Sequence, residues 1–149
     1  MVKKQISMAI SFVVCAGCAS PPADICRMPI SRTFWQGLDV SWRGEIIDVM
    51  APPHGGDIYF TDYRCGEIVE LDPDAVPNLY SQSDDWSGHA AVARFQVKGR
   101  LTYRNGEVVL RPSSLKRLSP WATDEAFTAY MTKRRAYLAE KGLLTLPTQ

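Results

Sequence analysis

A mainly β domain closed by one C-terminal amphipathic helix is the fold class this sequence predicts. Three observations carry the prediction. Polar and apolar residues alternate with period two over 38–46 and again over 94–104, the pattern of a strand with one dry and one wet face. Asn105-Gly106 separates the second run from another apolar run, which is the strongest short-range hairpin signal. After Thr123 the apolar residues change to helical spacing.

The chain opens on a segment that reads as processed rather than folded. Lys3 and Lys4 precede a mostly apolar run from Ile6 to Val14, and small residues follow up to Cys18. This is the make-up of a secretory signal. A membrane-spanning helix needs about 20 apolar residues, more than Ile6 to Gly17 supplies, and Pro21-Pro22 blocks an extension. Ala16-Gly17-Cys18 resembles the lipobox of bacterial lipoproteins, with Cys15 in the place more often held by an aliphatic residue. The resemblance implies a diacylglyceryl group on Cys18, a signal peptide over 1–17 and a chain anchored by its lipid. Ala19 is not the aspartate associated with inner-membrane retention, so the implied address is the outer membrane, facing the periplasm. Cleavage that releases the chain into the periplasm is the alternative.

Removal of the leader leaves 132 of the 149 residues, enough for one domain with a core. The remainder holds 15 basic and 16 acidic side chains, but unevenly. Residues 18–93 carry 4 basic and 12 acidic groups, and residues 94–149 carry 11 and 4. One reading is a basic surface for an anionic partner. The other, preferred here, is that strands of opposite sign lie side by side and neutralise each other. Cys26 and Cys65 are left as an even pair in an oxidising compartment, so a disulfide is expected. Neither has a C-x-x-C partner, and His54 and His89 show no ligand spacing, so no metal and no cofactor are expected.

The elements then follow in order. Residues 18–33 contain Pro21, Pro22 and Pro29 without periodicity and read as a lipidated tether pinned at Cys26. The first strand begins at Leu38. Its apolar phase slips from Ile46 to Ile47, which predicts a bulge or sharp coil over 44–48. Pro52 to Asp57 is a turn by composition. Ile58 to Cys65 reads as the second strand and Glu67 to Leu71 as the third. Residues 72–89 are an acidic loop with no legible element. Counting across Asn105-Gly106 pairs Arg104 with Glu107, Tyr103 with Val108, Thr102 with Val109, Leu101 with Leu110 and Arg100 with Arg111. The last pair needs an acid nearby, and Asp39 and Glu45 are the candidates. Thr123 is placed to cap the helix, with Asp124 and Glu125 in its first turn. Phe127, Tyr130, Met131, Tyr137 and Leu138 form its apolar face, the basic triplet Lys133-Arg134-Arg135 reads as solvated, and Gly142 suits a left-handed cap.

A long bent strand, two nearly continuous strands, a gap and a terminal hairpin resemble the order of the OB-fold, a small five-stranded barrel. A β-sandwich or open meander is the alternative. The likeness implies an OB-like β-barrel over 34–118, with a helix and tail over 119–149 packed on it. It also sets the first strand beside the fourth, bringing Asp39, Ser41, Arg43 and Glu45 near Arg94, Gln96, Lys98 and Arg100. Such barrels bind ligands on strands two and three through stacking aromatics. Tyr59, Tyr63 and Trp86 are therefore the candidate stacking residues, with Arg64 and Arg100 as anion contacts.

Catalytic signals are sparse. Trp86-Ser87-Gly88-His89 puts a serine near a histidine, but G-x-S-x-G is absent. His54-Gly55-Gly56-Asp57 reads equally as a plain glycine turn. The expectation is a non-enzymatic, lipid-anchored envelope protein whose partner is another envelope protein or a glycan rather than nucleic acid. An oligosaccharide- or anion-binding module is the alternative, and a small hydrolase using His54 and His89 stands behind it.

Overall fold

The computed structural model describes residues 21–28, 35–50, 56–75 and 90–143. The leader, Cys18, His54, Trp86 and His89 lie outside those residues. Strands β1 (Asp39–Met50), β2 (Gly56–Thr61), β3 (Ile68–Leu71), β4 (Ala90–Arg104) and β5 (Glu107–Arg117) are followed by a two-residue β6 (Ala122–Thr123) and helix α1 (Asp124–Glu140).

Neighbouring strands run β1-β2-β3-β5-β4, and β4 returns to β1, so five strands close on themselves. All their pairings are antiparallel except β3 with β5. This is the strand order of an OB-like barrel. Closure removes the free edges that an open sheet exposes.

The first strand neighbours the fourth, as the strand order implies. Asp39 stands opposite Arg100, Ser41 opposite Lys98, Arg43 opposite Gln96 and Glu45 opposite Arg94. The β4–β5 register matches the count across Asn105-Gly106 at all five pairs. Asn105 and Gly106 have φ of 52° and 88°, the left-handed values that a type I′ turn requires. Tyr103 near this tip is exposed, although its partner Val108 is buried.

Two expectations about the strands are corrected. The register of β1 is unbroken on both sides, so it has no bulge. The phase slip has another cause: from Gly44 to Asp48 every residue is buried, because the outer face is covered here as well as the inner one. Gly44 marks the tightest point, since a Cβ there would collide with the Thr61 carbonyl oxygen and the Phe60 ring. The bulge lies instead between Lys98 and Gly99, opposite Pro112, where a residue without an N–H costs the ladder least. Finally, β2 stops at Thr61 rather than Cys65, because Asp62 begins a turn. Its carbonyl accepts the Cys65 N–H, and its carboxylate accepts the Arg64 N–H at 2.8 Å.

Trp42, Phe60, Phe95, Leu101 and Leu110 fill the barrel and are fully buried, with Trp42 stacked on Phe60 at 5.9 Å. Full burial of each such side chain contributes roughly 1.5–3 kcal/mol. The core does not begin at residue 34. Ile25 and Met28 are buried in it, and the Trp42 indole N–H donates to the Pro22 carbonyl at 2.9 Å. Much of the segment read as tether is therefore part of the folded domain. Cys26 is bonded to Cys65 with the Cα atoms 5.6 Å apart.

Helix α1 lies against β4 and β6. Its C-terminus closes as a Schellman motif, with Leu143 N–H on the Leu138 carbonyl and Gly142 N–H on that of Ala139. Gly142 has φ 67°, the cap predicted for it. Thr123 occupies the N-cap position, but its side chain makes no capping hydrogen bond.

Candidate functional site

The turn 62–66 is where most of the charged and aromatic groups converge. Glu45 on β1 lies under this turn, 8% exposed, and its Oε2 accepts the Tyr63 N–H at 2.8 Å. Burial pushes the Glu45 carboxyl above its ordinary value. The Tyr63 N–H and the charges of Arg94 and Arg134 oppose that shift, and Asp62 adds to it.

Asp62, also buried, forms a forked pair with Arg64 at 2.9 Å and 2.6 Å. Burial alone pushes Asp62 up, but the Arg64 hydrogen bonds and the nearby Arg64 and Arg94 charges hold it below the usual carboxylate range. Arg64 reaches on to Asp24 at 3.2 Å, tying the N-terminal segment to the turn beside the disulfide. Two carboxylates in one site are thus driven in opposite directions, because one has a guanidinium fork and the other has a single backbone donor.

Helix α1 covers the turn. Tyr63 lies between Tyr130 and Tyr137, with ring centroids 5.9 Å and 5.1 Å away. Arg134 Nη2 donates to the Thr61 hydroxyl at 2.8 Å and to the Cys65 carbonyl at 3.2 Å. Burial and then the Glu45 charge raise the Tyr130 phenol. Its hydroxyl and Arg134 Nε are buried without hydrogen-bond partners.

Beside the turn opens a cleft of about 420 Å³ lined by Arg43, Glu45, Asp62, Tyr63, Arg64 and Arg94. It presents two carboxylates and three guanidinium groups around one tyrosine, which suits a charged or zwitterionic group. Of the two carboxylates there, Glu45 is the one better able to hold a proton as pH rises. Among the described residues no group of three histidine, cysteine or acidic side chains is placed to hold a metal ion.

The predicted ligand residues separate. Tyr63 and Arg64 are in the cleft, but Tyr63 is half-covered by the helix rather than presented for stacking. Tyr59 is half-buried on β2, opposite Ile47 and Glu70. Arg100 stands six residues along β4 from Arg94 and is bound to Asp39 at 2.8 Å and 3.0 Å. At about 3.4 Å per residue that is some 20 Å from the cleft.

Glu45 does not serve the Arg100–Arg111 pair as expected. Asp39 takes Arg100, and Asp72 approaches Arg111 and Arg104 at 4.0 Å and 3.5 Å. Sequence reasoning missed Glu45, Asp62 and Arg134 as site residues. Arg134 had a signal, being four residues from both Tyr130 and Leu138 and so on the apolar face. Glu45 and Asp62 had none, because their burial depends on a helix some 80 residues away.

Comparison with protein-family models, curated proteins and solved structures finds no match. The OB-like description rests on strand order.

Proposed function

We propose that this chain is a lipid-anchored bacterial envelope protein with a non-catalytic binding or assembly role, held in the outer membrane through Cys18 and facing the periplasm. The observation that carries the reading is the shortness of the link between the lipobox cysteine and the folded barrel. Pro22 is buried and bonded to Trp42, only four residues after Cys18. Four extended residues span at most about 14 Å. An anchor so placed holds the barrel at the bilayer surface, the expected arrangement for a domain that presents one face to a fixed neighbour. The Cys26–Cys65 disulfide supports an oxidising compartment.

The test is metabolic labelling with palmitate followed by membrane fractionation. Label is expected on the wild-type chain and not on Cys18→Ser, which is expected to leave the membrane fraction. Equal fractionation of the two would overturn the anchor. For the binding role, affinity capture of the acylated protein from envelope extract is expected to recover a defined protein or glycan, and recovery of membrane lipid alone would count against it.

A further inference from the structure

Strand pairing neutralises the barrel's outer surface at one end, where Asp39 holds Arg100 and Asp72 approaches Arg104 and Arg111, but not in its middle. The registers of β1, β4 and β5 set Ser41, Lys98 and Ser114 in one row and Arg43, Gln96 and Lys116 in the next. Arg43, Lys98 and Lys116 are exposed, and among the described residues none of the three is in an ion pair. Among the described residues the nearby acids are engaged elsewhere: Asp39 by Arg100, Glu45 by the Tyr63 N–H, Asp62 by Arg64 and Asp72 by Arg104. Sheet spacings place the three cations within roughly 10 Å of one another. Like charges so close repel, and a counter-charge from outside relieves them.

We propose that this face docks on the anionic phospholipid headgroups of the bilayer that holds Cys18. The inference rests on the anchored reading. The link of about 14 Å keeps the barrel beside the headgroups, within a short distance of the range over which an anionic surface attracts basic side chains. A face of the barrel carrying three cations that have no ion pair among the described residues complements a layer of closely spaced phosphates. Docking in this way fixes the barrel's orientation, and because Arg43 also lines the cleft, the cleft then opens at the rim of the contact.

The test is co-sedimentation of the full chain carrying Cys18→Ser, which has no acyl group, with phosphatidylglycerol–phosphatidylcholine vesicles and with pure phosphatidylcholine vesicles. Tighter binding to the anionic vesicles than to the neutral ones, the difference abolished by high salt, is expected. Adding Arg43→Gln, Lys98→Gln and Lys116→Gln is expected to lower the partition coefficient roughly a hundredfold with the circular dichroism spectrum unchanged. Removing three charges elsewhere, through Arg104→Gln, Lys133→Gln and Arg135→Gln, is expected to change it little. Equal losses in the two triple variants, or none in the first, would overturn the proposal, as would binding to polygalacturonate but not to vesicles. The leader is common to all variants and cancels. Palmitate labelling without vesicle binding sinks the face and leaves the anchor; vesicle binding without labelling does the reverse.

Discussion

Arg134 donates to the Thr61 hydroxyl at 2.8 Å, and that hydroxyl donates in turn to the Glu67 carbonyl at 2.7 Å. One guanidinium thus ties the C-terminal helix to the end of β2 and, through it, to the residue before β3. Thr61 is fully buried, so the chain is shielded from water. Hydrogen bonds to charged groups contribute about 1.5–3 kcal/mol. Arg134→Ala is therefore expected to destabilise the protein by about 2–3 kcal/mol, measured by urea unfolding. Lys133→Ala and Arg135→Ala, on the exposed side, are expected to stay within about 0.5 kcal/mol of wild type. Equal effects at the three positions would contradict the inward placement of Arg134.

Gly44 admits no side chain, because the obstacle is backbone rather than a flexible side chain. Gly44→Ala is expected to cost about 3 kcal/mol, the upper part of the range for overpacking, and to lower the thermal midpoint by well over 5 °C. A midpoint unchanged by the added methyl would show that β1 and β2 separate more easily than this register implies.

The Cys26–Cys65 bond closes a separation of 39 residues. Cys26→Ala with Cys65→Ala is expected to remove roughly 3–4 kcal/mol on the chain-entropy view. Urea midpoints with and without reductant give the comparison: reductant should lower the wild-type midpoint and leave the double variant's unchanged.

Asp48 is 1% exposed, and its Oδ1 has no hydrogen-bond partner. Burial raises its carboxyl above the ordinary value. A raised carboxyl means that the folded state holds the proton more tightly, so the contribution of this group to stability is greatest at acid pH. It falls as pH rises from about 4, the unfolded value, through the folded one. Asp48→Asn removes this dependence. The variant is expected to gain on the order of 1 kcal/mol at neutral pH and nothing below about pH 4, as read from urea unfolding across pH. Asp62 has the opposite sign: its lowered carboxyl contributes stability above about pH 4 that is lost on acidification.

Period-two patterning and turn chemistry are local, and they made the barrel legible. Five pairs counted from Asn105-Gly106 hold in the structure because a two-residue turn leaves one register. The β1–β4 neighbourhood was legible only through the likeness of strand order. What stayed hidden depended on tertiary cover. The apolar phase at Ile47 reads as a bulge because nothing local announces that the outer face is covered there as well. Ile25 and Met28 sit among prolines and show no periodicity, so their place in the core was masked. Arg134 was grouped with its two neighbours by charge, although helical spacing puts it on the other side. Tyr63 has the residue type of a ligand-stacking surface, yet the rings it meets, Tyr130 and Tyr137, belong to the protein itself. Trp86, His54 and His89 lie outside the described residues.

Cys65 is held twice, by its sulfur to the first part of the domain and by its carbonyl to the last. As the chain emerges from its amino end, this sets an order of assembly. Oxidation can staple the front half as soon as residue 65 has emerged, but the stapled hairpin keeps an open flank until residue 134 arrives. Assembly then finishes at the tail, and a polypeptide stalled short of the helix would leave Thr61 and its surroundings wet and within reach of proteases.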